Sequence, residues 1–194
     1  MARITELHYI TPIENVASIL KRGILSHNKA ARVPHTSISM QEVQARRAAK
    51  VLPGRRRLHS YANLYFNARN PMMYVRKHLH ETICVLRVKP GVMQLPGVMI
   101  SNKNAACTSA LFLPYPEGLQ WVDFRAVFAE RWDWRTKSLR CAEVLVPHRV
   151  PVEFISGVYV SCASSRKAVA AVAPHLPIRV DARLFFHDEV RYWR

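Results

Sequence analysis

The stretch RCAEVLVPHRV, residues 140–150, places one carboxylate at the head of an apolar segment. Apart from Glu143, the run from Cys141 to Val146 is continuously apolar, and Pro147 ends it. A short aliphatic run that stops at a proline is typical of a buried strand. Glu143 therefore has two interpretations. It either pairs with one of the many arginines of the chain or serves as a catalytic acid held on a rigid strand.

The charge balance is the strongest signal in the composition. The chain has 29 Lys and Arg against 13 Asp and Glu, which gives a formal net charge of +16. Arginine suits phosphate groups because its planar fork binds two oxygens at once. A positive field of this size indicates a polyanionic partner, nucleic acid first. The alternative is a general excess of arginine that reports on no partner.

Length and hydropathy set the class of protein. The 194 residues, 49% of them hydrophobic, predict a single globular domain over residues 1–194. No apolar run approaches the roughly 20 residues that cross a bilayer, and the N-terminus has no apolar segment of the signal-peptide type. We therefore expect a cytoplasmic protein with no membrane partner.

Cysteine and histidine spacing does not indicate a metal site. The cysteines are Cys84, Cys107, Cys141 and Cys162. They form no CxxC pair, so a zinc ribbon or a redox dithiol is not expected, and we interpret them as buried free thiols. His78 and His80 could share one face of a strand, but the sequence offers no third ligand beside them. The prediction is no metal.

The N-terminal segment predicts a strand followed by a helix. Residues 7–11, LHYIT, alternate in the manner of a strand. Thr11 as N-cap, Pro12 at the first helical position and Glu14 three residues after the cap then predict the start of a helix. Gly23 is expected to end it.

The rest of the chain predicts a mixed, strand-rich fold. Strands are expected at the start of 61–78 and within 81–93, 97–107, 138–147, 150–161 and 178–186. Helices are expected within 37–52, 71–78, 118–134 and 164–174. Because strands outnumber helices and the helices cluster in the N-terminal half, we predict an α+β fold with a mostly antiparallel core.

Four stretches carry a more specific signal: LHYITPIENVASILKRGILSHN (7–28), QARRAAKV (44–51), HSYANLYFNARNPMMY (59–74) and RCAEVLVP (140–147). In this order they resemble the DarT family of toxins, which use NAD to ADP-ribosylate DNA. The similarity extends from residue 7 to about residue 160. It implies an ADP-ribosyltransferase fold, with a split, mostly antiparallel sheet and NAD in the cleft between its halves. It also implies a macrodomain antitoxin that reverses the modification.

The resemblance assigns the catalytic residues. Glu143 matches the family's catalytic glutamate, which would bind the 2′-hydroxyl of the NAD ribose and stabilise the cationic transition state. Glu153 is the nearest rival among the other acids, but it follows a Val-Pro-Val turn. Arg47 matches a family arginine near both the cofactor and the incoming base, where it would stabilise the base losing its proton or hold the diphosphate. Arg46 would point about 100° away on a helix, so it is the natural control.

The resemblance also assigns residues that contact NAD. They are His8, Tyr9, Ile10, Thr11, Asn15, Ser18, Leu25, Arg47 and Tyr65. Tyr65 would stack on the nicotinamide. Many family members have Tyr-His-Ile-Thr where this chain has His8-Tyr9-Ile10-Thr11, so which of the two rings meets NAD stays open. Ser101-Asn102 stands where the family often has an aspartate nearby.

The expected acceptor is a base in single-stranded DNA, because a duplex hides the target nitrogen. The residues predicted to bind this strand are Arg55, Arg56, Arg57, His59 and Tyr61. The arginines would contact phosphates, and the rings would stack on bases. Thymine is favoured over guanine, which one branch of the family modifies. Two alternatives remain: a basic nucleic-acid-binding protein without chemistry, and the same fold acting on RNA or protein.

Overall fold

In a computed structural model, the chain from residue 4 to residue 187 folds around one eight-stranded sheet. The strand order is β10-β9-β4-β1-β3-β7-β5-β6, and a separate two-stranded sheet joins β2 to β8. All pairs are antiparallel except β9 with β10, which is parallel. The prediction of an α+β fold with a mostly antiparallel sheet is confirmed.

The strands are β1 (Leu7–Pro12), β2 (Ile24–Leu25), β3 (Tyr61–Tyr65), β4 (Ile83–Val88), β5 (Met99–Ser101), β6 (Phe112–Pro114), β7 (Glu143–Pro147), β8 (Arg149–Val150), β9 (Ile155–Val160) and β10 (Ile178–Val180). The α-helices are α1 (Val16–Arg22), α2 (His27–Ala30), α3 (Gln41–Ala48), α4 (Pro71–Arg76), α5 (Phe124–Phe128) and α6 (Ala163–Val172). Four of these six helices precede β4, which agrees with the predicted clustering in the N-terminal half.

The sheet opens at its centre, between β1 and β3. These two strands share one registered pair, His8 with Tyr65, whereas β1 pairs with β4 over six residues and β3 with β7 over five. The sheet is therefore split into a half containing β10, β9, β4 and β1 and a half containing β3, β7, β5 and β6. This is the split sheet that the resemblance implied.

The two faces of the sheet are packed differently. One face carries the largest hydrophobic cluster, to which α1 contributes Val16 and Ile19 and α6 contributes Val169. Two smaller clusters lie apart from it, one around Ile10 and the other around Leu145. The apolar packing is thus continuous on the face that carries the large cluster. The two smaller clusters are separate from each other, and this separation leaves room for a cleft between them.

Some predicted boundaries are wrong. β1 continues through Pro12, which pairs with Ile83, so Thr11 is buried in a strand and caps no helix. A 3-10 turn, Ile13–Asn15, then precedes α1. As predicted, Gly23 ends α1, with a positive φ of 84°.

The predicted helix over 118–134 and the predicted strand over 178–186 are both shorter than expected. Asp123 accepts a hydrogen bond from the Ala126 N–H and starts a separate helix, α5, which ends at Phe128. β10 ends at Val180 because Asp181 caps a 3-10 helix, Ala182–Phe185. In both places an aspartate side chain satisfies backbone N–H groups that a continuous element would have bonded itself.

The cysteine prediction is half right. All four thiols are free, and Cys84 and Cys141 are buried, whereas Cys107 and Cys162 are partly exposed. Within residues 4–187, no helix is long and apolar enough to cross a membrane.

Candidate active site

A row of polar residues crosses the centre of the sheet. Arg87 pairs with His8, His8 with Tyr65, Tyr65 with Glu143, and Glu143 with Ser101. Side chains of directly paired residues lie on the same face of a sheet. The register thus places Glu143 beside Tyr65 on one face, while the neighbouring residues of β7 alternate to the other.

Glu143 is buried, with 1% of its surface exposed, and its carboxylate is held by two donors. The Nη1 atom of Arg47 donates to both Oε1 and Oε2 at 3.0 Å. The backbone N–H of Ala105 donates to Oε1 at 2.9 Å. A rigid strand, a cation and a backbone donor fix the position of the carboxylate.

Arg47 comes from the last turn of α3 and is itself buried, with 7% of its surface exposed. Burial alone lowers the pKa of a guanidinium, but the Glu143 carboxylate outweighs this effect and raises the pKa of Arg47. Arg47 therefore stays protonated and cannot act as a literal base. The neighbouring Arg46 is exposed, as expected for the next position on a helix.

A cleft of about 400 Å³ lies where the sheet is split. It runs between the two smaller hydrophobic clusters, with Ile10 of one and Leu58 of the other in its walls. The residues that β1 and β3 contribute to it are Tyr9, Ile10, Thr11, Pro12, Tyr61, Asn63 and Tyr65. Arg47 also lines the cleft, so the buried Glu143 reaches it through Arg47.

No Asp or Glu within residues 4–187 lines this cleft. The rival carboxylate Glu153 is exposed, in the 3-10 turn Val152–Phe154, and lies outside it. Tyr65 pairs with Glu143 in the sheet and lines the cleft. Its pKa is raised well above 10, first by burial and then by the Glu143 carboxylate. The phenol therefore stays neutral beside Glu143.

The loop that joins α2 to α3 lines one side of the cleft, and two side chains hold it in place. Asn15 donates to the backbone oxygen of Thr36 at 2.8 Å and accepts from the Thr36 N–H at 3.0 Å. Arg76 Nε donates to the backbone oxygen of Ile38 at 2.7 Å. The loop, including residues 35–40, lines the cleft in this position.

The structure brings most of the predicted site residues to one place. The predicted residues that line the cleft are Tyr9, Ile10, Thr11, Asn15, Leu25, Arg47, His59, Tyr61 and Tyr65. Those outside its lining are His8, Ser18, Arg55, Arg56, Arg57 and Glu143, and Glu143 is linked to the cleft through its ion pair with Arg47. Ser18 lies on α1 and is partly buried.

His8 and Tyr9 have different surroundings. Tyr9 lines the cleft, whereas the ring of His8 contacts Glu6, with Nε2 3.1 Å from Oε1. Tyr159 and Arg87 also donate to Glu6, at 2.8 and 2.7 Å. Although burial opposes ionisation, hydrogen bonds from His8, Arg87 and Tyr159 lower the pKa of Glu6 to about 2. His8 thus belongs to a charged network beside the cleft.

The three arginines among the predicted DNA-binding residues form an exposed loop next to the cleft. Arg55, Arg56 and Arg57 are all exposed, and Arg55 has a positive φ of 63°. The guanidinium of Arg56 lies 5.7 Å from the centre of the Tyr61 ring. Tyr61 is only 6% exposed, so its ring is covered by this arginine and by the cleft wall.

His27, which lies against the predicted site residue His59 at the cleft, was missed by sequence reasoning. The rings of His27 and His59 lie 4.0 Å apart between centroids, and both residues line the cleft. Desolvation, His27 and Arg47 lower the pKa of His59 to about 4, and desolvation, His35 and Arg47 lower that of His27. His59 also bonds to Gln44 at 3.1 Å. Both rings are therefore neutral near pH 7.

The loop that caps Glu143 was also missed. Besides the Ala105 N–H, it contributes Asn104 to the cleft, and the Asn104 N–H donates to the Ser138 oxygen at 2.8 Å. Lys137, next to Ser138, lines the cleft as well. The only sequence signal for this loop is its polar composition, because its role depends on a backbone N–H that any residue would supply.

Comparisons with known proteins all match DNA ADP-ribosyl transferases. The family model "DarT: ssDNA thymidine ADP-ribosyltransferase, DarT" matches residues 8–186. A DNA ADP-ribosyl transferase–DNA ADP-ribosyl glycohydrolase fusion protein of Thermosipho africanus is 33% identical over 199 residues, 95% of this chain. The chain spans about half of that fusion protein, 50% of its length. A DNA ADP-ribosyl transferase of Thermus aquaticus is 26% identical, over 89% of this chain and 82% of the relative.

Solved structures agree in fold. Thermosipho africanus DarTG, in complex with ADP-ribose, has a TM-score of 0.84 and 28% identity over 94% of this chain and 51% of its own. Thermus sp. 2.9 DarT, in complex with ADP-ribosylated ssDNA, has a TM-score of 0.85 over 94% of this chain and 96% of its own, at 23% identity. At that lower identity, the likeness bears on the fold alone.

Proposed function

The chain belongs to the DarT family, and we propose that it is an NAD-dependent DNA ADP-ribosyltransferase. It transfers ADP-ribose from NAD to a base of single-stranded DNA and releases nicotinamide. The acceptor base that we propose is thymine. The observation that carries this proposal is the buried ion pair between Glu143 and Arg47, in which Arg47 lines the central cleft. The name of the matching family supports the choice of acceptor.

NAD occupies the cleft, with its nicotinamide end towards Glu143. Tyr65 is paired with Glu143 across β3 and β7 and lines the cleft, so its ring is available to stack on the nicotinamide. Tyr9, Ile10 and Thr11 form the adjoining wall from β1. Asn15 acts by holding the loop over the bound cofactor through Thr36.

Glu143 stabilises the positive charge that develops on the ribose as the bond to nicotinamide breaks. A preorganised carboxylate in a buried site is effective because it needs no rearrangement of solvent. Both of its oxygens are bonded to Arg47 in this structure. Glu143 is buried and only Arg47 of the pair lines the cleft, so contact with the ribose 2′-hydroxyl requires the Arg47 side chain to move aside when NAD binds.

Arg47 acts on the acceptor side of the same reaction. Once it turns from one carboxylate oxygen, its guanidinium can donate to the base that loses its proton or to the NAD diphosphate. Its raised pKa keeps the charge in place throughout. Its place in the cleft wall lets one side chain face both Glu143 and the incoming base.

Single-stranded DNA reaches the cleft along the exposed basic loop that precedes β3. Arg55, Arg56 and Arg57 contact phosphates, since all three are exposed and lie in the loop that leads into His59 and Tyr61. The net charge of +16 supports a polyanionic acceptor. His59 and Tyr61 line the cleft, where their rings stack on the target base or its neighbour, with Arg56 moving off the Tyr61 ring when DNA binds.

The biological role that fits this reaction is that of a toxin. A relative is described as a fusion with a DNA ADP-ribosyl glycohydrolase, an activity that is named for the reverse reaction. We propose that a macrodomain antitoxin of this kind removes the modification made by this chain, and that both act in the cytoplasm.

The experiment that tests the function combines purified protein, NAD labelled on its adenylate, and short oligonucleotides. The single-stranded DNAs differ only in which base is present, and matched RNA strands test the alternative acceptor. Glu143→Gln is compared with Glu153→Gln, which removes an exposed carboxylate outside the cleft. We expect labelled DNA only with thymine-containing strands, lost in Glu143→Gln and retained in Glu153→Gln.

Other outcomes distinguish the alternatives. Label transferred only to guanine would keep the mechanism and change the base. Label on RNA or on the protein itself would change the acceptor class. Tight, salt-sensitive DNA binding by wild type and Glu143→Gln alike, with no labelled product, would contradict the proposal and leave a nucleic-acid-binding protein.

A further inference from the structure

A second cluster of reactive side chains lies at the corner between β4 and α6. His80, Glu81 and Cys162 each offer one metal-ligand atom, and these atoms lie within 4.8 Å of one another. None of the three lines the cleft described above. We propose that this corner is a binding site for Zn²⁺.

The donor set fits zinc better than a hard cation. A thiolate, an imidazole and a carboxylate are the three side-chain ligands that zinc binds, whereas Mg²⁺ and Ca²⁺ take oxygen ligands. Ligand atoms around tetrahedral zinc lie roughly 3.5 Å apart, given Zn–N and Zn–S bonds of about 2.0 and 2.3 Å. Side-chain adjustments of about an ångström therefore close the site, and water takes the fourth position.

Hydrogen bonds prepare the imidazole to bind a metal. The Ser161 hydroxyl donates its proton to the backbone oxygen of His80 at 2.8 Å. The hydroxyl oxygen of Ser161 lies 3.0 Å from Nδ1 of His80. Because the hydroxyl proton is already donated to the backbone, this oxygen accepts a hydrogen bond from the ring N–H. This fixes the tautomer in which Nε2 keeps the lone pair, the arrangement that metal-binding histidines use.

The corner is also held rigid around the sulfur and the carboxylate. Ser165 donates to the backbone oxygen of Glu81 at 3.0 Å, and its hydroxyl lies 3.2 Å from the Cys162 sulfur. Ser164 lies 3.0 Å from the same sulfur. Ser165 thus ties the start of α6 to the turn before β4, Ser161 ties the end of β9 to the same turn, and Ser164 contacts the sulfur.

The sequence did not predict this site because the ligand residues are far apart in the chain. His80 and Glu81 precede β4, and Cys162 follows β9, more than 80 residues later. The antiparallel pairing of β4 with β9 brings the start of one strand beside the end of the other. His78, the partner considered from spacing, lies in the 3-10 turn Lys77–Leu79 and is not part of the cluster.

Bound zinc would stiffen a corner that also supports the cleft. Thr82, directly after Glu81, accepts from the Ile13 N–H at 2.9 Å, and Ile13 follows the cleft-lining residues of β1. The inference does not depend on the proposed transfer reaction, since the metal has no part in that chemistry.

The test is a Co²⁺ titration of the purified full chain, read as the near-ultraviolet charge-transfer band between thiolate and cobalt. Zn²⁺ is then added to displace the cobalt, and Mg²⁺ serves as the hard cation. We expect a band at one equivalent of Co²⁺ that Zn²⁺ removes and Mg²⁺ does not. Zn²⁺ should also raise the melting temperature of the wild type.

Variants assign the ligands. Cys162→Ser should abolish the band, and Ser161→Ala, which removes the partner of His80, should weaken cobalt binding by about 10- to 100-fold. Cys107→Ser is the matched control because it removes another partly exposed thiol, and its band should be unchanged.

Glu81→Gln, at an exposed position, gives an independent test should Cys162→Ser fail to fold. It should weaken cobalt binding at least about tenfold. The absence of any band in the wild type, or a band that survives Cys162→Ser or disappears in Cys107→Ser, would overturn the proposal.

Discussion

Arg47 and Glu143 lie 96 residues apart in the chain and meet as a buried ion pair in which one guanidinium nitrogen donates to both carboxylate oxygens. The pair joins α3 to the central strand β7. Each partner depends on the other, because a buried charge without a counterion is costly. Stability and catalysis are therefore linked at this point of the molecule.

Removing one partner should harm both properties. Arg47→Ala leaves the Glu143 carboxylate with the Ala105 N–H alone, so we expect the free energy of unfolding to fall by about 3–5 kcal/mol. Transfer to DNA should fall far more than stability explains. Denaturant unfolding followed by circular dichroism measures the first effect, and the labelled-NAD assay at a temperature where the variant is folded measures the second.

Arg46→Ala is the control for this prediction. It removes the same charge from the next, exposed position of α3, which also lines the cleft, whereas the bonds to Glu143 come from Arg47. Its stability should change by less than about 0.5 kcal/mol. Equal losses of activity in the two variants would contradict the role assigned to Arg47.

The pH dependence of stability should report the histidine pair. His59 titrates at about 4 in the folded protein against 6.5 when unfolded. Because a lowered histidine pKa means that the unfolded chain binds the proton first, the stabilisation is complete above pH 6.5 and is lost as pH falls towards 4. Histidine NMR shifts against pH give the pKa of His59 directly.

His27→Asn separates the causes of that shift. It removes one of the charges that oppose protonation of His59, so the pKa of His59 should rise. Desolvation and Arg47 still act on the ring, and the value should stay below 6.5. An unchanged His59 pKa in His27→Asn would show that the two rings are not coupled.

The turn at Gly23 should be intolerant of any side chain. A Cβ placed there would lie 2.2 Å from the backbone oxygen of Val150, and φ is +84°. We expect Gly23→Ala to lower the free energy of unfolding by about 1–3 kcal/mol more than Gly54→Ala. Gly54 has a similar φ of +81° with nothing within 4 Å, so it carries the backbone strain without the clash. Thermal unfolding of both variants provides the comparison.

Salt dependence tests the basic loop. Arg56→Ala with Arg57→Ala should reduce the slope of log affinity for single-stranded DNA against log salt by about 1.4, roughly 0.7 for each lost phosphate contact. Fluorescence anisotropy with a labelled oligonucleotide at several salt concentrations measures the slope. Arg166→Ala with Lys167→Ala removes the same charge from the exposed surface of α6. An equal change in the two double variants would indicate a general effect of net charge.

The sequence predicted the parts of the site that follow from local pattern and family likeness. Glu143 stands at the head of an apolar run, and Arg47 lies on the helix that was predicted before the Pro53-Gly54 turn. Local periodicity predicted the strand and the helix that carry them, and the family resemblance assigned their catalytic roles. The split of the sheet followed from the family resemblance.

What could not be predicted depends on contacts between distant segments. His27 and His59 are 32 residues apart and meet only because α2 packs near the turn that begins at Leu58. The Ala105 N–H is a backbone group and carries no sequence signature. The predicted helix over 118–134 was wrong because one side-chain cap, at Asp123, outweighed the apolar spacing.

The row from Arg87 to Ser101 ties the position of Glu143 to the hydrogen-bond register of several strands. Since side chains alternate, a slip of one residue in β7 would turn Glu143 towards the apolar layer and bring Val144 to the cleft side. Such an error would also bury an unpaired carboxylate among hydrophobic residues, so a misaligned chain would be unstable as well as inactive. Correct strand register is therefore required for both stability and activity, because the active site and the correct strand alignment can form only together.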